Sequence, residues 1–255
     1  GWHIECSAMS MKYLGDTLDI HCGGIDHVPV HHTNEIAQSE AATGHKFVRY
    51  WLHNAFLIFA DNKSDNGSDD GQEVGAAVKM SKSGDNFITL QRILDRGFDP
   101  MAYRYLCLQA HYRSELKFNW DTLEAAQSGL RKVYGVRAEK DPLSDDTRFS
   151  DARAEALEYL NDDLNTPQLV GILNRHSSYR LWTEFDAVLG LGIAARAKEI
   201  NEDIPPDVQS LVDKRNAARQ AKEWAQSDEI RTELIRLGWE VGDGPTGTTV
   251  KRRAL

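Results

Sequence analysis

The sequence predicts an α/β unit, then an α-helical bundle, then a small α+β unit. Short apolar strands and a glycine pair near the start predict the first, and long stretches with apolar residues at helical spacing predict the second. Two further helices followed by a short hairpin pattern predict the third. With 255 residues, 41% hydrophobic and 27% charged, the composition is that of a globular protein with one large domain or two to three small ones.

Charge and cysteine content narrow the class of protein. The formal net charge of -9 argues against a general electrostatic nucleic-acid binder, although the basic cluster Lys251–Arg253 is a possible local phosphate contact or a solvated tail. Cys6, Cys22 and Cys107 are too few for a disulfide scaffold, which favours a reducing cytoplasm. We find no membrane span and no signal peptide pattern. The first six residues, Gly1–Cys6, already include indole, imidazole, carboxylate and thiol side chains. We therefore expect that the chain begins inside a larger fold.

A strand running into glycines organises the first sixty residues. Asp19–His21 is a short strand that leads into Gly23 and Gly24, and a helix follows. This is the α/β arrangement that places ligands at the carboxyl end of a strand. The other elements predicted here are a helix end at Met9–Leu14 capped by Gly15, a break at Pro29, a helix at Thr33–Ala42 stopped by Gly44, and a buried helix end and strand at Tyr50–Phe59.

The remainder of the chain is predicted to be mainly helical after a polar interruption. Residues 61–75, DNKSDNGSDDGQEVG, are acidic and rich in glycine, which predicts a solvated flexible loop. A linker is predicted at 201–206. The helices expected around it are Pro100–Gln109, Trp120–Val133, Ser150–Leu160, Pro167–Tyr179, Leu181–Leu191, Val208–Lys222 and Ala225–Leu237, followed by strands at Trp239–Val241 and Thr248–Lys251.

The stretch KMSKS, Lys79–Ser83, has two lysines three residues apart in a serine-rich segment. Such a loop can place ammonium groups on a triphosphate, where negative charge develops during adenylyl transfer. A solvated lysine loop explains the spacing equally well. Gly23, Gly24 and Asp26 pose the same choice, because they fit either a nucleotide site or a tight turn with a helix-capping aspartate.

The stretch HVPVHHTNE, His27–Glu35, is the strongest candidate for metal binding. His31 and Glu35 are four residues apart, so on a helix both side chains can reach one ion. The alternative is a polar helix face. His27 and His32 are less secure, and the other ligands must come from elsewhere in the fold.

Several segments occur in an order that resembles cysteinyl-tRNA synthetases, and KMSKS is the second nucleotide-binding motif of class I synthetases. The usual continuation is LGN, whereas Gly84, Asp85 and Asn86 stand here. The resemblance implies a partial Rossmann-type catalytic domain followed by the helical and α+β units. The segments are GWHIECSAM, GGIDHVPVHHTNEIAQSEAATG, FVRYWLHNAFL, KMSKS, AYRYLCLQAHYRS, DDLNTP and EWAQSDEIRTELIRLG.

The resemblance also implies domain boundaries. These are the second part of the catalytic nucleotide-binding domain at 1–60, an acidic flexible loop at 61–78, the KMSKS loop and a stem-contact region at 79–117, a tRNA-binding helical bundle at 118–200, and an anticodon-binding domain at 206–255.

The implied activity is that of a cytoplasmic, monomeric cysteine–tRNA ligase that uses ATP with Mg²⁺, L-cysteine and tRNA(Cys). One Zn²⁺ per complete enzyme is expected to recognise the substrate thiol, and His32 is expected to support the site. The implied roles are zinc ligation by Cys6, His31 and Glu35, an amino-acid pocket lined by Trp2 and His3, ATP binding by Gly23, Gly24, Asp26 and Lys82, and catalysis by Lys79 and Lys82.

The family's other zinc cysteine and its His-Ile-Gly-His motif do not occur in these residues. We therefore expect this chain alone to be an incomplete enzyme, with Cys22 as a conceivable replacement ligand. Two alternatives stay open: a non-catalytic tRNA-binding or regulatory fragment, and a ligase that joins cysteine to an amino sugar.

Overall fold

The computed structural model describes residues 1–59, 78–79, 88–201, 204–244 and 247–252. Within these residues, no helix combines the length and apolar character needed to cross a bilayer. The chain forms two compact units. The first comprises Gly1–Ile88, Gln109–Thr122 and Leu164–Pro167, and the second comprises Thr89–Leu108, Leu123–Asp163 and Gln168–Leu255.

The first unit is built on two parallel strands connected through a helix. Its core is Leu18, Phe47 and Val48. The strands pair with His21 opposite Trp51 and Gly23 opposite His53. The elements are α1 (Trp2–Leu14), β1 (Leu18–Gly24), a short 3-10 turn (Ile25–His27), a π-helical segment (Val28–His32), α2 (Thr33–Thr43) and β2 (Val48–Asn54).

A second small sheet completes this unit. Its central strand is β3 (Leu57–Phe59), which pairs antiparallel with β4 (Val78–Lys79) and parallel with β5 (Leu116–Phe118). The predicted acidic loop falls almost entirely outside the described residues, as does KMSKS after Lys79.

Two local predictions for the first unit are wrong, whereas the predicted helix ends at Gly15 and Gly44 are confirmed. Pro29 does not break the chain, because it occupies the first turn of the π-helical segment, where its missing N–H costs no hydrogen bond. Tyr50–Phe59 contains no helix end, and Tyr50 is 67% exposed on β2. The predicted stop at Gly44 is confirmed, since this residue takes a left-handed φ of 70° and donates its N–H to the Glu40 carbonyl.

Helices dominate the second unit. Trp182 is buried in it, and the Arg104 Nε donates to the Leu189 carbonyl at 2.6 Å. The Tyr134 hydroxyl donates to the Leu191 carbonyl at 2.8 Å. The helices that lie wholly or mostly in this unit, before its C-terminal part, are α3 (Leu90–Asp95), α4 (Pro100–Leu108), α5 (Trp120–Tyr134), α6 (Asp146–Asn161), α7 (Thr166–His176), α8 (Tyr179–Leu189) and α9 (Ile193–Asn201).

The C-terminal part of the second unit packs two helices against an antiparallel hairpin, as the sequence predicted. The elements are α10 (Pro206–Gln220), α11 (Trp224–Arg236), β6 (Trp239–Gly244) and β7 (Gly247–Arg252), and the buried core is Val208, Val212, Leu234 and Trp239.

A buried arginine joins α10 to this hairpin. Arg215 is 1% exposed, and its Nη1 donates to Asp243 Oδ1 and to Thr248 Oγ1, both at 2.6 Å. Arg219 also contacts the Asp243 carboxylate, at 2.8 Å. The Thr248 backbone N–H donates to the Asn216 side-chain oxygen at 2.9 Å. Side chains on α10 therefore hold both strands of the hairpin.

Candidate metal and nucleotide site

Glu35 is the centre of a cluster of potential metal ligands in the first unit. It lies in the first turn of α2 and is completely buried. Its Oε1 is 3.2 Å from His31 Nε2, and its Oε2 is 3.1 Å from His21 Nε2. Neither oxygen has a hydrogen-bond partner in the described part of the chain. A buried carboxylate without such partners is costly, and a cation bound beside it would offset that cost.

The π-helical segment Val28–His32 positions this cluster by running directly into α2. The Thr33 hydroxyl donates to the Val28 carbonyl at 2.6 Å, and the Asn34 amide donates to the Val30 carbonyl at 2.8 Å. These side-chain bonds satisfy carbonyls of the wider turn. His31 consequently lies one turn before Glu35, on the same side of the helix.

Ligand atoms of Cys6, His31 and Glu35 all lie within 4.8 Å of one another. Zinc bonds of about 2.0–2.1 Å in tetrahedral geometry separate two nitrogen or oxygen ligands by about 3.3 Å. The 3.2 Å separation of His31 Nε2 from Glu35 Oε1 fits that spacing. A thiol, an imidazole and a carboxylate are all donors that zinc accepts. These three residues, which the sequence pointed to, therefore fit a zinc ion.

The surroundings of Cys6 disfavour a free thiolate. Burial raises the pKa of the Cys6 thiol, and the nearby Glu35 carboxylate raises it further. Without a cation the thiol therefore stays protonated, and a metal ion would have to displace its proton.

Of the two residues predicted to line the amino-acid pocket, His3 lies beside the ligand cluster and Trp2 is exposed to solvent. The His3 ring lies 6.4 Å from the His31 ring, centroid to centroid, and His3 Nδ1 is 2.8 Å from the Gln38 amide nitrogen. This places His3 beside the ligand cluster. Trp2 is 80% exposed.

The residues predicted to bind nucleotide lie where β1 ends. Gly23 and Gly24 are its last two residues, and Asp26 follows in an exposed turn. A side chain at Gly24 would collide with the Asp26 carboxylate. Backbone and an exposed carboxylate are thus available to a ligand at the carboxyl end of the strand. Lys79 lies in β4, and Lys82 lies outside the described residues.

Several residues of the cluster were not predicted from the sequence. His21 contacts Glu35, and the Trp51 ring lies 4.8 Å from the rings of both His21 and His32. His32 Nδ1 is 2.8 Å from His53 Nε2. The His21–Trp51 contact follows from the parallel pairing of β1 with β2, and the others depend on how the π-helical segment and α2 pack beside these strands. Neither the register nor this packing is readable from the sequence. A histidine on each of two successive predicted strands was the available signal.

His32 is the buried histidine of the cluster, with 4% exposure. Burial, together with the neighbouring imidazoles of His21, His53, His27 and His31, lowers the pKa of His32 to about 4. Burial also lowers the pKa of His53, helped by Arg113. His32 is therefore neutral near pH 7, as a metal ligand or hydrogen-bonded support must be.

Replacing Gly23 with alanine should disturb this cluster. The new Cβ would lie 2.5 Å from His32 Cε1 and 2.8 Å from His27 Nδ1. The His32 ring cannot easily move because it contacts His53 and Trp51. We expect a loss of about 1–3 kcal/mol in the unfolding free energy of the first unit, and weaker metal retention. Denaturant titration and metal analysis of the purified variant measure the two effects.

Gly171 in α7 provides the matched control. A Cβ there meets nothing within 4 Å, and the residue lies in a helix, so Gly171→Ala should stabilise by about 0.5–1 kcal/mol. If both alanine variants were neutral or stabilising, Gly23 would not be required for the packing of these histidines.

Comparison with known proteins identifies the family of the chain. Residues 1–128 match the model described as tRNA synthetases class I (C) catalytic domain. Residues 201–250 match the cysteinyl-tRNA ligase anticodon binding domain.

Curated relatives cover nearly the whole chain. Cysteine–tRNA ligase 1 of Burkholderia lata is 44% identical over 97% of this chain and 50% of its own length. Cysteine–tRNA ligase of Caldicellulosiruptor saccharolyticus is 39% identical over 99% of this chain and 56% of its own length. The chain thus spans about half the length of the curated relatives it matches. Since the first family model covers half of the sequence, the chain belongs to the class I (C) family of tRNA synthetases.

Proposed function

We propose that the chain carries the thiol-recognising and tRNA-binding part of a cysteine–tRNA ligase. This enzyme would activate L-cysteine with ATP and transfer the cysteinyl group to tRNA(Cys). The observation that carries the proposal is the convergence of Cys6 and His31 on the buried Glu35 carboxylate, which has no hydrogen-bond partner within the described ranges. The similarity to cysteine–tRNA ligases supports the same reading.

The chemistry of these ligands explains how cysteine would be selected. A zinc ion held there would bind the substrate sulfur and lower its pKa. Serine offers a harder and less acidic hydroxyl, which is a poorer zinc ligand. A missing favourable interaction in a desolvated site discriminates strongly between such similar substrates. Cys6, His31 and Glu35 would hold the ion, and His3 would contribute to the wall of the amino-acid pocket together with Trp2.

The nucleotide would lie at the carboxyl end of β1. Gly23 and Gly24 would let the backbone approach the adenosine, and Asp26 would accept hydrogen bonds from the ribose hydroxyls. Lys79 and Lys82 would act on the phosphates with Mg²⁺, stabilising the charge that develops during adenylyl transfer. The contribution of these residues is to position the reactants and supply fixed charge.

The helical region at 118–200 and the C-terminal region at 206–255 are proposed to bind tRNA, the latter at the anticodon. The anticodon-domain match over residues 201–250 supports this assignment and argues against the amino-sugar ligase, which has no tRNA to recognise. Trp224 is 58% exposed at the start of α11, and such a ring can stack on an unpaired base. A monomeric, cytoplasmic enzyme completes the proposal.

Cobalt substitution tests thiol recognition directly. Co²⁺ bound through Cys6 should give a sulfur-to-metal charge-transfer absorption, which L-cysteine should intensify and L-serine should leave unchanged. Cys6→Ser should remove the absorption that is present before cysteine is added. A parallel binding assay should show tRNA(Cys) held more tightly than tRNA(Ser).

Two results would contradict the proposal. An equal spectral response to cysteine and serine would exclude thiol selection by the bound ion. Selective tRNA(Cys) binding with no metal binding would instead favour the non-catalytic tRNA-binding alternative.

A further inference from the structure

A cleft of about 370 Å³ lies within the second unit, where the end of α5 meets the C-terminal part. Its volume falls in the range of about 300–1,000 Å³ that ligand sites in proteins occupy. One lining residue comes from the last turn of α5, and the others come from α11 and β6. We call this the α5–α11 cleft, and its lining residues are Arg131, Arg231, Ile235, Trp239, Glu240 and Val241.

The lining of the α5–α11 cleft combines an apolar wall with positive charge. Ile235, Trp239 and Val241 provide the wall. Arg131 and Arg231 are exposed, and neither has an ion pair or a side-chain hydrogen bond among the residues that the structure describes. Glu240 adds one carboxylate, so the described lining carries two positive charges and one negative charge. A ligand with an anionic group and an apolar body complements such a surface.

A nucleotide of an unpaired RNA strand has this combination of properties. Its phosphate can bind to guanidinium groups, and its base can pack against an apolar or aromatic wall. The amino group of a base can also donate to a carboxylate such as that of Glu240. The chemistry of the lining therefore favours a nucleotide over a purely apolar or a cationic ligand.

Helix α11 connects the α5–α11 cleft to the exposed Trp224 ring. Arg231 and Ile235 follow Trp224 by seven and eleven residues, which are about two and three turns of helix, so the three side chains share one face. The helix advances about 16 Å from Trp224 to Ile235. One base cannot span that distance. An RNA strand that stacks on Trp224 would therefore reach the cleft with a different nucleotide.

We propose that the α5–α11 cleft holds one unpaired nucleotide of the bound tRNA. Its phosphate lies against Arg131 and Arg231, and its base packs against the apolar wall. This inference rests on the proposed tRNA binding and adds a contact separate from Trp224. Because Arg131 lies on α5, the contact also extends beyond residues 201–250, which match the anticodon binding domain.

The salt dependence of tRNA(Cys) binding by the full chain tests the two arginines. Arg131→Gln and Arg231→Gln should each reduce the slope of log affinity against log salt concentration by about 0.7–0.9, because each removes one phosphate contact. Arg148→Gln is the control. Arg148 is also exposed, on α6, but does not line the cleft. This variant should keep the wild-type slope.

A matched pair of substitutions tests occupation of the cleft itself. Ile235 and Leu237 lie at the end of α11 and are each 43% exposed, but only Ile235 lines the cleft. Ile235→Glu places a negative charge where the nucleotide would lie, and should weaken tRNA(Cys) binding at least about tenfold. Leu237→Glu adds the same charge outside the cleft and should have a much smaller effect.

The outcomes separate this inference from the proposed function. If the wild type binds tRNA(Cys) and neither arginine variant changes the slope, the cleft proposal is overturned and tRNA binding stands. Equal losses in the control variants would overturn it too, since binding would then follow overall charge. A wild type that does not bind tRNA(Cys) would overturn both proposals. Circular dichroism reports folding, and the arginine slopes decide if Ile235→Glu does not fold.

Discussion

Glu35→Gln should stabilise the metal-free protein and destabilise the metal-loaded protein. Without metal, the wild-type carboxylate is fully buried, and neither oxygen has a hydrogen-bond partner among the residues that the structure describes. Removing its charge should therefore raise the unfolding free energy of the first unit by about 1–3 kcal/mol. With zinc present, the variant lacks the carboxylate ligand of the proposed site formed with Cys6 and His31. Its zinc affinity should fall by at least about 100-fold.

The test is whether the effect of Glu35→Gln on the unfolding free energy changes sign between the metal-free and the zinc-loaded protein. Unfolding in denaturant is monitored through hydrogen exchange of the α2 amides at about pH 8. One series contains a chelator and the other contains zinc. Glu5→Gln is the control, because Glu5 is an exposed acid in the first turn of α1. It should change neither curve appreciably. A Glu35→Gln variant that is less stable in the chelator would show that the wild-type carboxylate is already satisfied without an ion.

Arg215→Met should strongly destabilise the C-terminal hairpin. The substitution retains the apolar stem but removes the donors to Asp243 and Thr248. Removing one partner of a buried ion pair typically costs about 3–5 kcal/mol, and we expect about 2–4 here. The smaller figure reflects that Asp243 is 36% exposed and keeps its contact with Arg219. Hydrogen exchange of the β6 and β7 amides measures the loss.

Arg236→Met is the matched control. Its ion pair with Glu233 is 2.7 Å long, similar to that of Arg215, but both partners are solvent-exposed. Its removal should therefore cause no measurable loss. Equal effects of the two substitutions would mean that burial does not determine the importance of Arg215.

The pH dependence gives the Arg215 prediction a second readout. The hydrogen bond from Arg215 holds the pKa of Asp243 below its ordinary value. The resulting stabilisation is present above the unfolded-state pKa of about 4 and is lost as the pH falls through the lower folded-state pKa. Arg215→Met should therefore lose less stability than the wild type on acidification. A steeper acid loss in the variant would contradict this account.

Local patterns in the sequence predict local features well. The four-residue spacing of His31 and Glu35 predicts that they share a helix face, and the structure places them 3.2 Å apart. Gly44 ends α2 because it accepts a left-handed conformation. The two C-terminal helices and their hairpin were also predicted, because their apolar periodicity and turn residues are regular.

Contacts that depend on strand register could not be predicted. His21 lies opposite Trp51 because β1 pairs in parallel with β2 in that register. No local pattern specifies that pairing. Pro29 was misleading for a different reason: proline usually marks a break, but its missing N–H is tolerated in the first turn of a helical segment. Lys82 stays a prediction, since it lies outside the described residues.

The π-helical segment Val28–His32 fixes the number of residues between β1 and α2. Successive side chains of an ordinary α-helix point about 100° apart around the helix axis. The π turn takes in one more residue per turn than an α turn, and thereby sets the angular phase at which α2 begins. Deleting one residue here would relax the turn but rotate every later side chain of α2 relative to the sheet. The segment should therefore tolerate changes of side chain far better than any change of length.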